Sequence, residues 1–175
     1  MKNRLLLFLI FATFIISLAA CKNKDANADK EGNSISIQAD VVEFVNDELA
    51  PILTYRNTAI SSYNSYFQTN EMDTQAFLTE LEAAAIPNME AFLEGLNNIE
   101  VATPEVCELK EIYILSATKQ LEAMKLVALA IKEENPDYLT QADVLISEAG
   151  KYMTQYESAL KTLCEEHNID IEGSF

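Results

Sequence analysis

Glycine and proline are scarce in this chain, four of each in 175 residues. That is too few for a loop-rich β-sandwich or a low-complexity protein. Cations are scarce as well: twelve Lys and Arg stand against 28 Asp and Glu, a formal charge of −16 with histidine neutral. Two of those cations, Lys2 and Arg4, fall in the first twenty residues, which hold no acid, so the chain from Cys21 onward is more acidic still. Such a surface repels phosphate backbones, which excludes sequence-independent DNA or RNA binding. There is a single histidine, His167. Di-iron bundles need Glu-x-x-His pairs on two helices, and the residue three before His167 is Cys164. Covalent haem needs Cys-x-x-Cys-His, and zinc needs a ligand set the chain does not contain. Gly-x-Ser-x-Gly, a Walker loop, a dinucleotide fingerprint and a twelve-residue EF-hand loop are all missing. The expectation is therefore no enzyme, no cofactor and no metal.

What is present begins with a leader. Lys2 and Arg4 precede an apolar run from Leu5 to Ala20, broken only by Thr13 and Ser17. Sixteen residues of helix span about 24 Å, short of the ~30 Å hydrocarbon core of a bilayer. A short apolar run with a positive flank and a small-residue end reads as an export signal. The run closes on Leu18-Ala19-Ala20-Cys21, which resembles the lipobox of bacterial lipoproteins. The resemblance implies a diacylglycerol on the Cys21 thiol, with residues 1–20 removed. The alternative is an ordinary signal peptide, or an uncleaved helix, with an incidental cysteine. Two or more acyl chains hold a protein at a membrane stably, whereas one holds it only marginally.

Residues 22–34 carry no large apolar side chain and read, with Cys21, as a solvated tether over 21–34. Asp25, Asp29 and Glu31 balance Lys22, Lys24 and Lys30, so the segment is no polybasic lipid-binding patch. Any hold on the membrane has to come from the lipid.

From Ile35 on, apolar residues recur at steps of three and four, and no comparable stretch alternates with period two. One stripe runs Val45, Leu49, Ile52, Tyr55, Ala59, Tyr63, Tyr66, and a second Leu78, Leu81, Ala85, Met89, Phe92, Leu96, Ile99. A third runs from Val106 to Ile131 and a fourth from Leu139 to Leu163. Thr103-Pro104-Glu105 supplies an N-cap, a proline at the first helical position and an acid at the dipole's positive end. Asn135-Pro136-Asp137 repeats that logic. These signals predict helices over about 35–67, 73–99, 104–133 and 136–166, with a short tail at 170–175. The expected fold is all-α, an up-down-up-down four-helix bundle about 45 Å long over 35–169. A three-helix body with a loosely attached first helix is the alternative. Tyr55, Tyr63, Tyr113, Tyr152 and Tyr156 are expected in the core or half in it.

Two constellations stand out. The midpoint of Cys107 and Cys164 falls on the Asn135-Pro136 turn, so a hairpin of the third and fourth helices brings the two to one level. Each directly follows a stripe residue, Val106 or Leu163. In an oxidising compartment this predicts a Cys107–Cys164 disulfide, worth about 4 kcal/mol in the chain-entropy model; two buried thiols are the other outcome. Pro51 and Pro87 likewise share a midpoint in the turn after Gln68, and each frees the carbonyl four residues earlier, those of Asp47 and Ala83. Counting across the turns brings Ser116 and Thr154 to that height, with Gly150 one turn away. This mid-bundle layer reads either as a widened core able to hold a ligand or as two helices bending together around a packed interior, and the second reading is the simpler.

The stretch from Pro87 to His167 is similar to uncharacterised helical lipoproteins of Gram-positive bacteria, through Pro87…Phe92…Leu96, Thr103-x-Glu105 and Tyr113…Gln120-Leu121-Glu122-Ala123. That resemblance implies a fold and an address, not an activity. The leading expectation is a lipid-anchored, extracytoplasmic module that works by binding an envelope protein or a small apolar ligand. A structural or stress-related envelope lipoprotein without a dedicated ligand is the second, and an enzyme or redox carrier the last.

Overall fold

The computed structural model of the protein describes residues 30–66 and 73–171. The leader, Cys21 and the tether before Lys30 lie outside the described residues. The described residues fold into four helices and contain no strand.

The first helix has three parts, Lys30–Val42, a π-helical segment Glu43–Leu49, and Ala50–Ser65. It therefore starts five residues inside the segment read as tether. The second repeats the pattern with Thr74–Glu80, a π-helical segment Leu81–Ala85, and Ile86–Asn98. The third helix is Pro104–Lys132 and the fourth Asp137–His167. Their ends are set by local chemistry. Asp73 accepts the N–H groups of Gln75 and Ala76 at 3.0 and 3.1 Å, and Thr103 accepts that of Val106 at 3.4 Å, which satisfies donors that a helix N-terminus leaves orphaned. The third helix closes through Glu134 in the left-handed region, φ 51°, with the N–H of Asn135 donating to the carbonyl of Ala130 at 3.1 Å. Asn135 Oδ1 then accepts the N–H of Asp137 to open the fourth helix. At its far end Asn168, also left-handed at φ 52°, turns the chain so that Ile169 donates to the carbonyl of Cys164 and is buried. Both ends are Schellman closures.

The two π segments explain how helices tolerate internal prolines. A proline ring collides with the carbonyl four residues back and supplies no N–H. Those carbonyls belong to Asp47 and Ala83, and both lie inside π segments. There the ladder runs to the fifth residue rather than the fourth; the N–H of Ile86 donates to Leu81. The wider turn also moves the apolar stripe. Phe44 and Leu49 are both buried, five residues apart, where an α-helical stripe would step to exposed Glu48. Val45, placed in the stripe by regular spacing, is accordingly only half-buried.

Side chains from all four helices fill one core. Tyr66 stacks on Phe77 at 3.9 Å between ring centroids and closes the end where the first helix gives way to the second. Further along, Ile52 presses on Gly95, where an added Cβ would lie 3.0 Å from Ile52 Cγ2. Tyr113 touches Phe92 edge-on at 5.5 Å and Tyr156 at 4.6 Å, which links the second, third and fourth helices. The third and fourth helices share the most extensive packing, and within it Ser116, fully buried, donates to the carbonyl of Ala149 at 2.9 Å. Tyr55 departs from expectation: it is 45% exposed, and the neighbouring Ala59 takes the buried place.

A buried acid ties the first helix to the start of the third. Asp40 Oδ1 accepts the N–H of Ala102 at 2.9 Å, and Oδ2 accepts the N–H and the hydroxyl of Thr103 at 2.7 and 2.6 Å. Lys110 holds the same connection from the other side, donating to the carbonyl of Ile99 at 2.8 Å. Burial pushes the Lys110 ammonium below its ordinary value, and Glu111 and Glu100 partly oppose this.

Candidate functional site

An open groove of about 400 Å³ runs between the N-terminal turns of the third helix and the last turns of the fourth. The third helix contributes Glu105, Glu108 and Leu109; the fourth contributes Gln155, Ser158, Ala159, Thr162 and Leu163. Leu109, Ala159 and Leu163 form an apolar floor, and the two glutamates form one rim. Glu105 Oε2 is cut off from solvent and has no hydrogen-bond partner, although a buried carboxylate oxygen normally has one. Neither glutamate is in an ion pair among the described residues.

The same face of the third helix continues past the groove. Residues three, four and seven apart lie above one another on a helix, so Ile112 and Leu115 extend the line of Glu108. Leu115 is 41% exposed. Beyond it Lys119 is held by Glu122 and Glu148, each at 3.4 Å, and its ammonium sits above its ordinary value, where the two glutamates outweigh the desolvation that lowers it. The strip thus runs from unpaired acids, across exposed leucine, to a cation that is already neutralised. Small side chains, Ser158 and Thr162, line the opposite wall. Leu109 and Leu163 belong to the apolar stripes, but nothing in the core periodicity singles out Glu108, Leu115, Ser158 and Thr162; the signal available was the spacing Glu108, Ile112, Leu115 against Ser158 and Thr162.

The mid-bundle layer expected from the prolines does not form a pocket wall. Pro51, Pro87, Gly150 and Thr154 are exposed, and of the five residues only Ser116 is buried. Thr154 donates back to the carbonyl of Gly150 in its own helix, and a Cβ at Gly150 would meet nothing within 4 Å. The prolines are not level either. Ile52, next to Pro51, meets Gly95, about 12 Å of helix beyond Pro87.

The Cys107–Cys164 bridge is not formed. Cys164 carries a free, half-buried thiol, and Cys107 is buried and engaged elsewhere. Equal level was the wrong criterion without equal facing. Leu109 and Leu163 look into the shared groove; at about 100° per residue, Cys107 points about 200° away from Leu109 and Cys164 about 100° away from Leu163. Burial, and then Glu165, push the Cys164 thiol above its ordinary value.

Inside the core, the Arg56 guanidinium lies over the Tyr113 ring at 5.9 Å from its centroid, and Arg56 Nε is buried without a partner. Desolvation raises the Tyr113 hydroxyl above its ordinary value while Arg56 pulls it down. Tyr156 is raised further, by burial first and then by Tyr113 and Cys164. A raised tyrosine is a weaker proton donor, which suits a packing role. His167 lies half-buried in the last turn of the fourth helix. Among the described residues no group of three or more His, Cys, Asp or Glu could hold a metal ion, and no helix is long and apolar enough to cross a membrane.

Comparison with known proteins adds no relative: no family model matches the chain, and neither does a curated protein or a solved structure.

Proposed function

We propose that the protein is a lipid-anchored, extracytoplasmic four-helix module that acts by binding another component of the cell envelope. An up-down-up-down arrangement of the four helices is supported by Tyr66 on Phe77 near one turn and Ile52 on Gly95 farther from it. The pattern from Lys2 to Cys21 supports a diacylglycerol on Cys21 as the anchor, and the polar stretch that follows supports a spacer. The observation that carries the binding role is the groove of the third and fourth helices, with its apolar floor and its partnerless Glu105 oxygen. A concave apolar surface with a few convergent polar groups is the usual form of a recognition site.

The test is the intact mass of the protein extracted gently from its host, measured natively and after denaturation, for the parent and for Cys21→Ala. The denatured parent should show loss of residues 1–20 and added acyl chains, and C21A should show neither. Mass retained only in the native spectrum identifies a bound component. An unprocessed, unacylated parent overturns the anchor, and a bare native mass at high concentration of envelope extract favours a structural lipoprotein without a dedicated ligand.

A further inference from the structure

We infer that the outer face of the third and fourth helices docks a basic amphipathic helix from a partner protein. The inference rests on the reading of the chain as a binding module and names the chemistry of what it binds.

Three features point the same way. The first is shape. The groove floor includes half-buried Ala159 and Leu163, and along the line of Glu108 it is flanked by half-buried Ile112 and exposed Leu115, the latter seven residues and about 10 Å beyond Glu108. That sets an apolar contact two helical turns from the acidic one, the i and i+7 spacing of a docked helix. Ser158 and Thr162 are small enough to let its backbone approach.

The second is charge. Glu105 and Glu108 stand at one end of the strip without ion-pair partners among the described residues, and Glu105 Oε2 is withdrawn from water with nothing donating to it. A Lys or Arg on the incoming helix would pair with exposed Glu108 and half-buried Glu105 at the groove rim. At the other end Lys119 is already bound by Glu122 and Glu148, so it neither repels a cation strongly nor invites an acid. The strip therefore has a direction: basic residues of the partner belong over Glu105 and Glu108, and its apolar residues over Leu115. The third feature is the chain's own composition. Its excess of acids steers basic partners toward it, while its one lysine-bearing candidate occupant, residues 22–34, has no large apolar side chain to lay over Leu115.

The test uses the mature chain and two labelled synthetic helices of eighteen residues, one of Lys and Leu and one of Glu and Leu in the same pattern, with binding read by fluorescence anisotropy. The Lys/Leu helix should bind and the Glu/Leu helix should not. Glu105→Gln with Glu108→Gln should weaken binding about tenfold, with a shallower dependence on salt. Leu115→Ser, at an exposed position, should weaken it by a factor of about five without changing the helical signal or melting temperature. The control removes the same charge elsewhere, Glu80→Gln with Glu94→Gln on the exposed face of the second helix, and should leave affinity within about twofold. Equal weakening by the control means bulk attraction to an acidic protein and overturns the site, as does no binding, or binding of the Glu/Leu helix. Failure here with Cys21 acylated removes the docking site and leaves the anchor; binding here with Cys21 unmodified does the reverse.

Discussion

Asp40 and Thr103 lie 63 residues apart, yet a single carboxylate oxygen of Asp40 accepts both the N–H and the hydroxyl of Thr103. Thr103 is itself the N-cap of the third helix. One buried acid thereby fixes the first helix, the connection before the third, and the cap that starts it.

Removing that acid leaves the N–H groups of Ala102 and Thr103 without acceptors. Asp40→Ala should lower unfolding stability by about 3 kcal/mol, since hydrogen bonds to charged groups are worth about 1.5–3 kcal/mol and orphaned donors add their desolvation cost. Asp40→Asn should recover little, because its NH2 would oppose one of the same N–H donors. Urea denaturation monitored by circular dichroism decides it; a loss under 1 kcal/mol for Asp40→Ala would show the clamp to be incidental.

Gly95 and Gly150 should respond oppositely to alanine. Gly150 faces open space, so Gly150→Ala should gain about 1 kcal/mol from helix propensity alone. At Gly95 the new Cβ meets Ile52 at 3.0 and 3.1 Å, and the same propensity gain is offset by a displaced Ile52, so Gly95→Ala should be neutral or destabilising. Thermal melts of both variants compare the two directly.

Alkaline pH should loosen the core. Tyr113 and Tyr156 both titrate above the ordinary 10.0 when folded, so the folded state favours their protonated forms. That contribution is complete below pH 10 and is lost as pH rises from there toward the folded value. Lys110, shifted down by burial, works against this trend, and more weakly because it is partly exposed. Stability should hold to about pH 9 and then fall, by up to about 1.4 kcal/mol per pH unit for each tyrosine. Tyr156→Phe should flatten the fall; a curve parallel to that of the parent would remove Tyr156 as a cause.

Cys164 should alkylate without reductant, and slowly. Its thiol is unbridged, but burial and Glu165 keep its pKa high, so little thiolate is present at pH 8. Peptide mapping after iodoacetamide should find the label on Cys164 in the native protein, at a rate well below that of the urea-unfolded chain. A Cys107–Cys164 peptide in the non-reduced digest would reverse this assignment.

Much of the fold was legible because its signals are local. Thr103-Pro104, Asn135-Pro136 and the three-four spacing each act within one turn, and the helix ends they imply agree closely with those observed from Asp73 onward. What escaped depends on facing and on distance. Midpoint arithmetic put Cys107 and Cys164 at one height but said nothing of the side of the helix each occupies. Regular spacing favoured Val45 and Tyr55, because a π turn cannot be seen in a stripe assumed to be α-helical. Asp40 reads in sequence as one more solvated acid, and only its partner far along the chain makes it structural. The groove was hidden for a similar reason: Glu105 looked like a dipole-complementing first-turn acid, which it also is.

The π segment at Glu43–Leu49 makes chain length itself a condition of the fold. Deleting one residue there, exposed Asn46 for instance, would let the first helix run on as a plain α-helix. Everything upstream would then swing by about 100°, carrying Ile37, Val41 and Phe44 out of the interior and Asp40 away from Thr103. Homologous chains should therefore hold the residue count of this stretch fixed and keep Phe44 and Leu49 apolar, while its exposed letters vary.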